Sequence, residues 1–315
     1  MPVKLTLSIF SGRQDPYMIL DDAAARELFK KLKFGTLKKQ TEKTTPFPSV
    51  LGYRGLTIEQ QGKKLFADMP QKLHYAHDMV YTEGKAAKAE GGLETFLFDN
   101  FRSLKEVKGL PDFRRTTEKL MKEYFDKRSL YIENYYKNID LFRDDIILQP
   151  RPVCQCAPVP DLAAWNTDWN ITGNNNCYNY ASNYRTDTFG QPGRASGQQW
   201  SDLSGCNVPA PAISAKMGAV ADGLIDKPNQ DNKCISPGHL VALVNYPGSD
   251  YHWYRKGSNG KWSHKMGGNP ATVLDNSGNA ISDPRTADRG SYTGFCTFMQ
   301  VIHGHFKIDG WGDPH

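Results

Sequence analysis

The chain has 315 residues, 39% of them hydrophobic and 23% charged, with a formal net charge of +5. That length suits two ordinary domains, and the apolar-to-charged balance excludes a disordered chain. No run approaches the ~20 apolar residues of a membrane span, and lysine-rich stretches (Lys30, Lys31, Lys33, Lys38, Lys39, Lys43) read as solvated faces, so a nucleic-acid partner is not expected.

Val3–Ile9 alternates like a strand and meets Gly12 before a signal-peptide core can form. The expected location is therefore the cytoplasm, or export without a cleaved signal. Asp21 or Asp22 caps a helix through Leu32, with Leu28, Phe29 and Leu32 at helical spacing. Residues 35–50 read as a polar loop and Leu51–Ile58 as a strand returning to the first sheet. His74 and His77, three apart, read as surface residues of a helix. Residues 112–143 give the clearest helix. Residues 1–146 thus form an α+β domain without a catalytic constellation, and the proline-bearing stretch 147–160 is a linker where lysines thin out and Gly, Asn, aromatics and cysteines increase.

The second domain, 161–315, opens with Trp165, Trp169 and a polar loop, Gly173–Asn176. A short helix begins at Cys177. Gly238–Val244 is a buried-strand run, and 252–256 with 261–265 read as a hairpin about Gly257–Gly260. Thr272–Leu274 leads into the turn Asp275–Gly278. This half is one early helix followed by antiparallel strands.

A cysteine is a nucleophile only as thiolate, and a helix start lowers its pKa by presenting free N–H groups. Cys177 has that position, with Asn175 and Asn176 placed to donate to an oxyanion. Against this stands the ordinary fate of a free cysteine, burial in a core. His252, after the turn Pro247–Asp250, can hang over a cleft as general base. His239 is the second choice of base, and His264, on the partner strand of the hairpin, could orient His252. Asp275 is the expected orienting group, with Asn276 behind it, although Asp-Asn-Ser-Gly is also a turn former in its own right. Arg285, Asp288 and Arg289 read as a salt-bridge network, and His303 with His305 as a pair too small for a metal. No metal and no cofactor are expected.

The order helix-borne Cys177, then His252 at a strand start, then Asp275 or Asn276 resembles the papain-like superfamily of cysteine hydrolases, including its NlpC/P60 and effector-protease groups, over about residues 165–285. The resemblance implies a papain-like α+β domain and a soluble two-domain thiol hydrolase or acyltransferase. It would act on an amide or ester bond of a peptide or amide substrate. Asn176-Cys177-Tyr178 departs from the signature papains carry around their nucleophile, and the glutamine they place before it has no clear match.

Two rivals stand beside this. The aromatic richness of 165–265 (Trp165, Trp169, Trp200, Trp253, Trp262) suits a non-catalytic peptide- or carbohydrate-binding protein. A zinc protein would use Cys154, Cys156 and Cys206 or Cys234. In a cytoplasmic chain the six cysteines are expected to be mostly reduced.

Overall fold

In a computed structural model, the described residues are 2–41, 44, 46–96, 113–141, 153–166 and 168–310. Residues 147–152 of the expected linker lie outside them, as do residue 112 and residues 142–143 of the expected helix. The chain divides into two compact units: residues 1–9, 15–48 and 52–126 make the first, and 10–14, 49–51 and 127–315 the second.

The first unit is a seven-stranded antiparallel sheet in the order β2-β1-β4-β5-β6-β7-β3. Its strands are β1 (Val3–Leu7), β2 (Tyr17–Leu20), β3 (Lys38–Lys39), β4 (Leu56–Gln60), β5 (Lys72–Ala76), β6 (Met79–Thr82) and β7 (Lys85–Lys88). β1 and β4 pair with Val3, Leu5 and Leu7 opposite Gln60, Ile58 and Leu56, all turned inward, which is the period-two signal expected of a half-buried strand. Helix α1 (Asp22–Lys31) starts where Asp21 accepts from the Ala24 N–H at 2.8 Å and ends on Lys30 and Lys31, each charge complementing the dipole at its end.

The strand expected over 51–58 begins only at Leu56. Gly55 sits at φ +107°, and a Cβ there would lie 2.4 Å from the Tyr75 carbonyl oxygen, so the backbone turns before pairing starts. The two histidines expected on a helix surface are corrected. His74 is buried on β5, bonded to Thr57 Oγ1 (3.0 Å) and the Arg54 carbonyl (2.7 Å), while His77 is buried in the β5–β6 turn against Tyr124. Helix α2 runs over Phe113–Lys137, its residues to Asp126 counting with the first unit and the rest with the second.

The second unit carries a six-stranded antiparallel sheet in the order β12-β11-β10-β9-β13-β8. Its strands are β8 (Ile225–Lys227), β9 (His239–Tyr246), β10 (Asp250–Lys256), β11 (Trp262–Lys265), β12 (Ala271–Thr272) and β13 (Gly294–Val301). Four short helices accompany it: α3 (Leu162–Asn166), α4 (Trp169–Asn174), α5 (Cys177–Ser182) and α6 (Ala215–Ala221). The expected mixed α+β character holds in both units. Both faces of this sheet are covered. Val241, Leu243, Tyr251, Trp253, Met299 and Val301 pack with Cys177, Tyr178 and Ala219 on one face, and Leu240, Ala242, Val244, Tyr254, Trp262 and Phe298 fill the other. Burial on both faces explains why β9 reads as an unbroken apolar run.

The cysteines correct the compartment expectation. Cys154 is bonded to Cys234 and Cys206 to Cys296, leaving Cys156 exposed and Cys177 buried as the free thiols. With three of their proposed ligands in disulfides, the zinc arrangements fall away. Persistent disulfides belong to oxidising compartments, so a cytoplasmic location is not supported. Among the described residues no helix is long and apolar enough to cross a membrane, and no group of three metal-ligating side chains occurs.

Candidate functional site

Helix α5 begins with a capping box. The Asn176 side-chain oxygen accepts from the N–H groups of Tyr178 (3.0 Å) and Asn179 (3.2 Å), and Asn179 Oδ1 accepts from the Asn176 N–H (3.2 Å). Cys177 therefore does stand at a helix start, but it is wholly buried there. Burial pushes its thiol up to about 12, the Asp250 carboxylate adds to the rise, and hydrogen bonding to Ser11 and to the Trp253 backbone opposes it. Desolvation outweighs what the helix start offers, and the sulfur is a thiol at neutral pH.

Strand alternation separates the expected pair. Tyr251 and Trp253 of β10 share the face with Cys177, whereas His252 lies opposite Val244 on the other face, edge-on to Tyr254 at 4.7 Å between ring centroids. The two are linked through Ser11, whose hydroxyl bonds His252 Nδ1. His252 Nε2 lies 2.8 Å from His264 Nδ1, and His264 Nε2 lies 2.8 Å from the Leu274 carbonyl.

A carbonyl only accepts, so His264 carries its proton on Nε2. Burial drives the His264 pKa down to about 4, which keeps it neutral and makes Nδ1 an acceptor. His252 then donates from Nε2 and accepts at Nδ1 from the Ser11 hydroxyl. The result is a one-way chain from the Ser11 hydroxyl through His252 and His264 to the Leu274 carbonyl.

Around this chain lies a second set of contacts, all within the second unit. Asp250, fully buried, accepts from the backbone N–H groups of Ser11 (2.5 Å), Gly12 (3.2 Å) and Arg13 (3.1 Å) and from the Tyr292 hydroxyl (2.6 Å). The Gly12 carbonyl faces three donors: Asn176 Nδ2 at 2.8 Å, Gln191 Nε2 at 2.9 Å and the Tyr251 hydroxyl at 2.9 Å. The Gly267 N–H donates to the Ser11 carbonyl at 3.1 Å, and Arg13 Nη1 to the Ser249 carbonyl at 3.0 Å. A Cβ on Gly12 would fall 2.3 Å from the Tyr251 ring. The cleft expected for a substrate is thus filled by the chain's own residues 10–14.

No family model matches the chain, and no solved structure matches it. Insoluble matrix shell protein 1 of Ruditapes philippinarum is 47% identical to it over 139 residues, 44% of this chain and 85% of that protein. The chain belongs to the family of that matrix protein. This relationship overturns the expectation of a thiol hydrolase or acyltransferase, and with it the labels of enzyme and thiol protease and the peptide or amide substrate.

The remaining residues singled out in this member of the matrix-protein family have structural partners. Asp275 accepts from the backbone N–H groups of Ser277 (3.0 Å), Asn279 (2.9 Å) and Asp288 (3.1 Å), closing the turn between Leu274 and Ala280. Asn276 makes both side-chain bonds to the backbone of Leu51. Asn175 donates to the Ile171 carbonyl and Asp187 and accepts from Thr186 and Asp187. His239, on the face that carries α5, bonds the Ala181 carbonyl through Nε2 at 2.7 Å, and burial holds its pKa near 3. Arg285 pairs with Asp283, and Asp288 with Lys127 at 2.6 Å. His303 and His305 fall in an exposed turn.

Sequence reasoning missed Ser11, Asp250, Tyr251 and Gln191. Ser11-Gly12 was legible only as a turn, and Asp250 only as the end of another. Lys265 was missed as well. Fully buried, it donates to the carbonyls of Thr172, Asn175 and Gly267 at 2.5–2.6 Å, tying α4 and the loop before α5 to β11.

Proposed function

We propose that this chain is a non-catalytic structural protein of an extracellular, insoluble matrix, as its relative's name describes that protein. The relationship to insoluble matrix shell protein 1 carries the reading. Two disulfides that brace the second unit support an extracellular location. A thiol held protonated inside the core, with its hydrogen-bonding neighbours matched to one another, supports a structural use of Cys177. We read the likeness to papain-like domains as one of layout, a cysteine-headed helix packed on an antiparallel sheet, without the activity.

Sedimentation tests the reading. The full chain is mixed with insoluble matrix prepared from Ruditapes philippinarum shell, and pellet and supernatant are compared. The expected result is saturable transfer to the pellet, unchanged by Cys177→Ala. A chain that stays in the supernatant at every concentration would overturn it.

A further inference from the structure

We propose that Asn170 carries an N-linked glycan, attached before the second unit closes around its acceptor triplet. The inference rests on the extracellular part of the matrix reading and adds a modified residue to it.

Asn170-Ile171-Thr172 is the only place in the chain where asparagine is followed two positions on by serine or threonine without an intervening proline. That triplet is the acceptor for N-glycosylation of chains that enter the secretory pathway. Such a triplet also arises by chance, so compartment and placement decide. The compartment follows from Cys154–Cys234 and Cys206–Cys296. Bonds between cysteines 80 and 90 positions apart are made in an oxidising lumen of the kind that secreted chains pass through.

Placement separates Asn170 from its neighbours. It is the second residue of α4, its backbone N–H donates to the Asp168 carboxylate at 2.7 Å, and its side chain is exposed. Asn175, Asn176 and Asn179, a few positions on, are wholly buried, and their amide nitrogens donate to Ile171, Gly12 and Tyr184 carbonyls. A glycan on any of these would break the packing around α5, whereas on Asn170 it extends into solvent.

Thr172 sets the timing. The transferase reads the hydroxyl together with the asparagine. In the folded chain Thr172 is buried, and its hydroxyl donates to the carbonyls of Trp165 (2.9 Å) and Asp168 (2.8 Å). Its own carbonyl accepts from Lys265 Nζ at 2.5 Å. The triplet is therefore an acceptor only until α3, α4 and β11 come together, and folding then closes the acceptor while leaving the modified side chain outside. In the transfer, the Asn170 amide nitrogen bonds the anomeric carbon of a lipid-linked oligosaccharide. The bond from that carbon to the lipid diphosphate breaks, the diphosphate leaves with its electron pair, and a base of the transferase takes the amide proton.

Secretion from insect cells tests it. The full chain and its Asn170→Gln variant are each produced behind a cleavable leader, and the secreted proteins are weighed by mass spectrometry before and after peptide-N-glycosidase. The wild type should lose the mass of one glycan and be left with aspartate at position 170. The variant should carry no glycan and still form both disulfides. A wild-type chain secreted with both disulfides and an unmodified Asn170 would overturn the proposal. Should the chain not be secreted, solubilised oligosaccharyltransferase with lipid-linked oligosaccharide decides. The reduced, S-alkylated and unfolded chain should accept the glycan and the folded, disulfide-bonded chain should refuse it, whereas no transfer to the unfolded chain, or equal transfer to both, refutes the proposal. The leader or the added transferase supplies the compartment, so these results are independent of pelleting with matrix, and an unmodified Asn170 leaves the matrix reading standing.

Discussion

At the scale of single residues, the second unit buries titratable groups, and His239, His264 and Lys265 among them bond backbone carbonyls. Cys177 and Cys156 make the contrast measurable. With iodoacetamide at neutral pH and without denaturant, mass spectrometry should find Cys156 modified and Cys177 untouched, and Cys177 should react only after unfolding. Selective labelling of Cys177 in the folded chain would contradict its placement. The histidines set a pH dependence with a definite sign. Burial lowers His264 from 6.5 to about 4 and His239 from 6.5 to about 3, so the unfolded chain binds protons that the folded chain refuses. Their contribution is fully present above pH 6.5 and is lost as pH falls through the folded values. Each should cost about 1.4 kcal/mol per pH unit between about pH 6 and 5. Urea midpoints at pH 7, 6 and 5 should fall accordingly, and because burial lowers His74 to about 3 as well, His264→Gln should remove about a third of that slope. A midpoint flat over this range would mean the imidazoles are not buried neutral.

At the scale of elements, helix α5 shows how local chemistry and tertiary demand share one residue. Asn176 caps the helix through its oxygen and, through its amide nitrogen, holds the carbonyls of Gly12 and Gly190. Asn176→Ala should lose about 1 kcal/mol for the cap and about 1–3 kcal/mol more for the bond lost to the Gly190 carbonyl, the Gly12 carbonyl keeping Gln191 and Tyr251. Asn176→Ser restores the cap alone, so its urea midpoint should fall between the other two. Equal midpoints for Ala and Ser would remove the role of the amide nitrogen.

The start of this helix was legible in Asn176-Cys177 because caps are local. Strands β9, β10 and β11 were legible for the same reason, being apolar or aromatic runs beside Gly-rich turns. Strands β5 to β7 were not, since His74 and the lysines hide the period and the bonds of His74 go to Thr57 of β4 and to the Arg54 carbonyl just before it. β13 was hidden too: its buried Thr297 and Gln300 are satisfied by Asp226 and the Pro237 carbonyl, contacts that sequence spacing does not show. The candidate site was half legible. Residue types pointed to Cys177 and His252, but only the sheet register reveals that they lie on opposite faces, with Ser11 between them.

At the scale of the whole chain, the disulfides decide how the second unit is held. Cys206–Cys296 ties the loop before α6 to strand β13, and Cys154–Cys234 ties the segment before α3 to the segment before β9. Each closes a long loop, with separations of 80 and 90 residues, so each removes much freedom from the unfolded chain, about 4.5 kcal/mol by the loop-entropy argument and about 2–5 kcal/mol by common experience. Both bridges lie within residues 127–315, whereas the first unit contains no cysteine. Reduction should therefore act on one unit alone. In calorimetry the Cys206→Ser, Cys296→Ser double variant should lower the transition of the second unit by roughly 4–20 °C, at about 2–4 °C per kcal/mol for a domain of this size. The pH dependence assigned to His264 should stay with that same transition. A transition of the first unit that shifts equally would show that the bridges stabilise the chain by some route other than closing loops in the second.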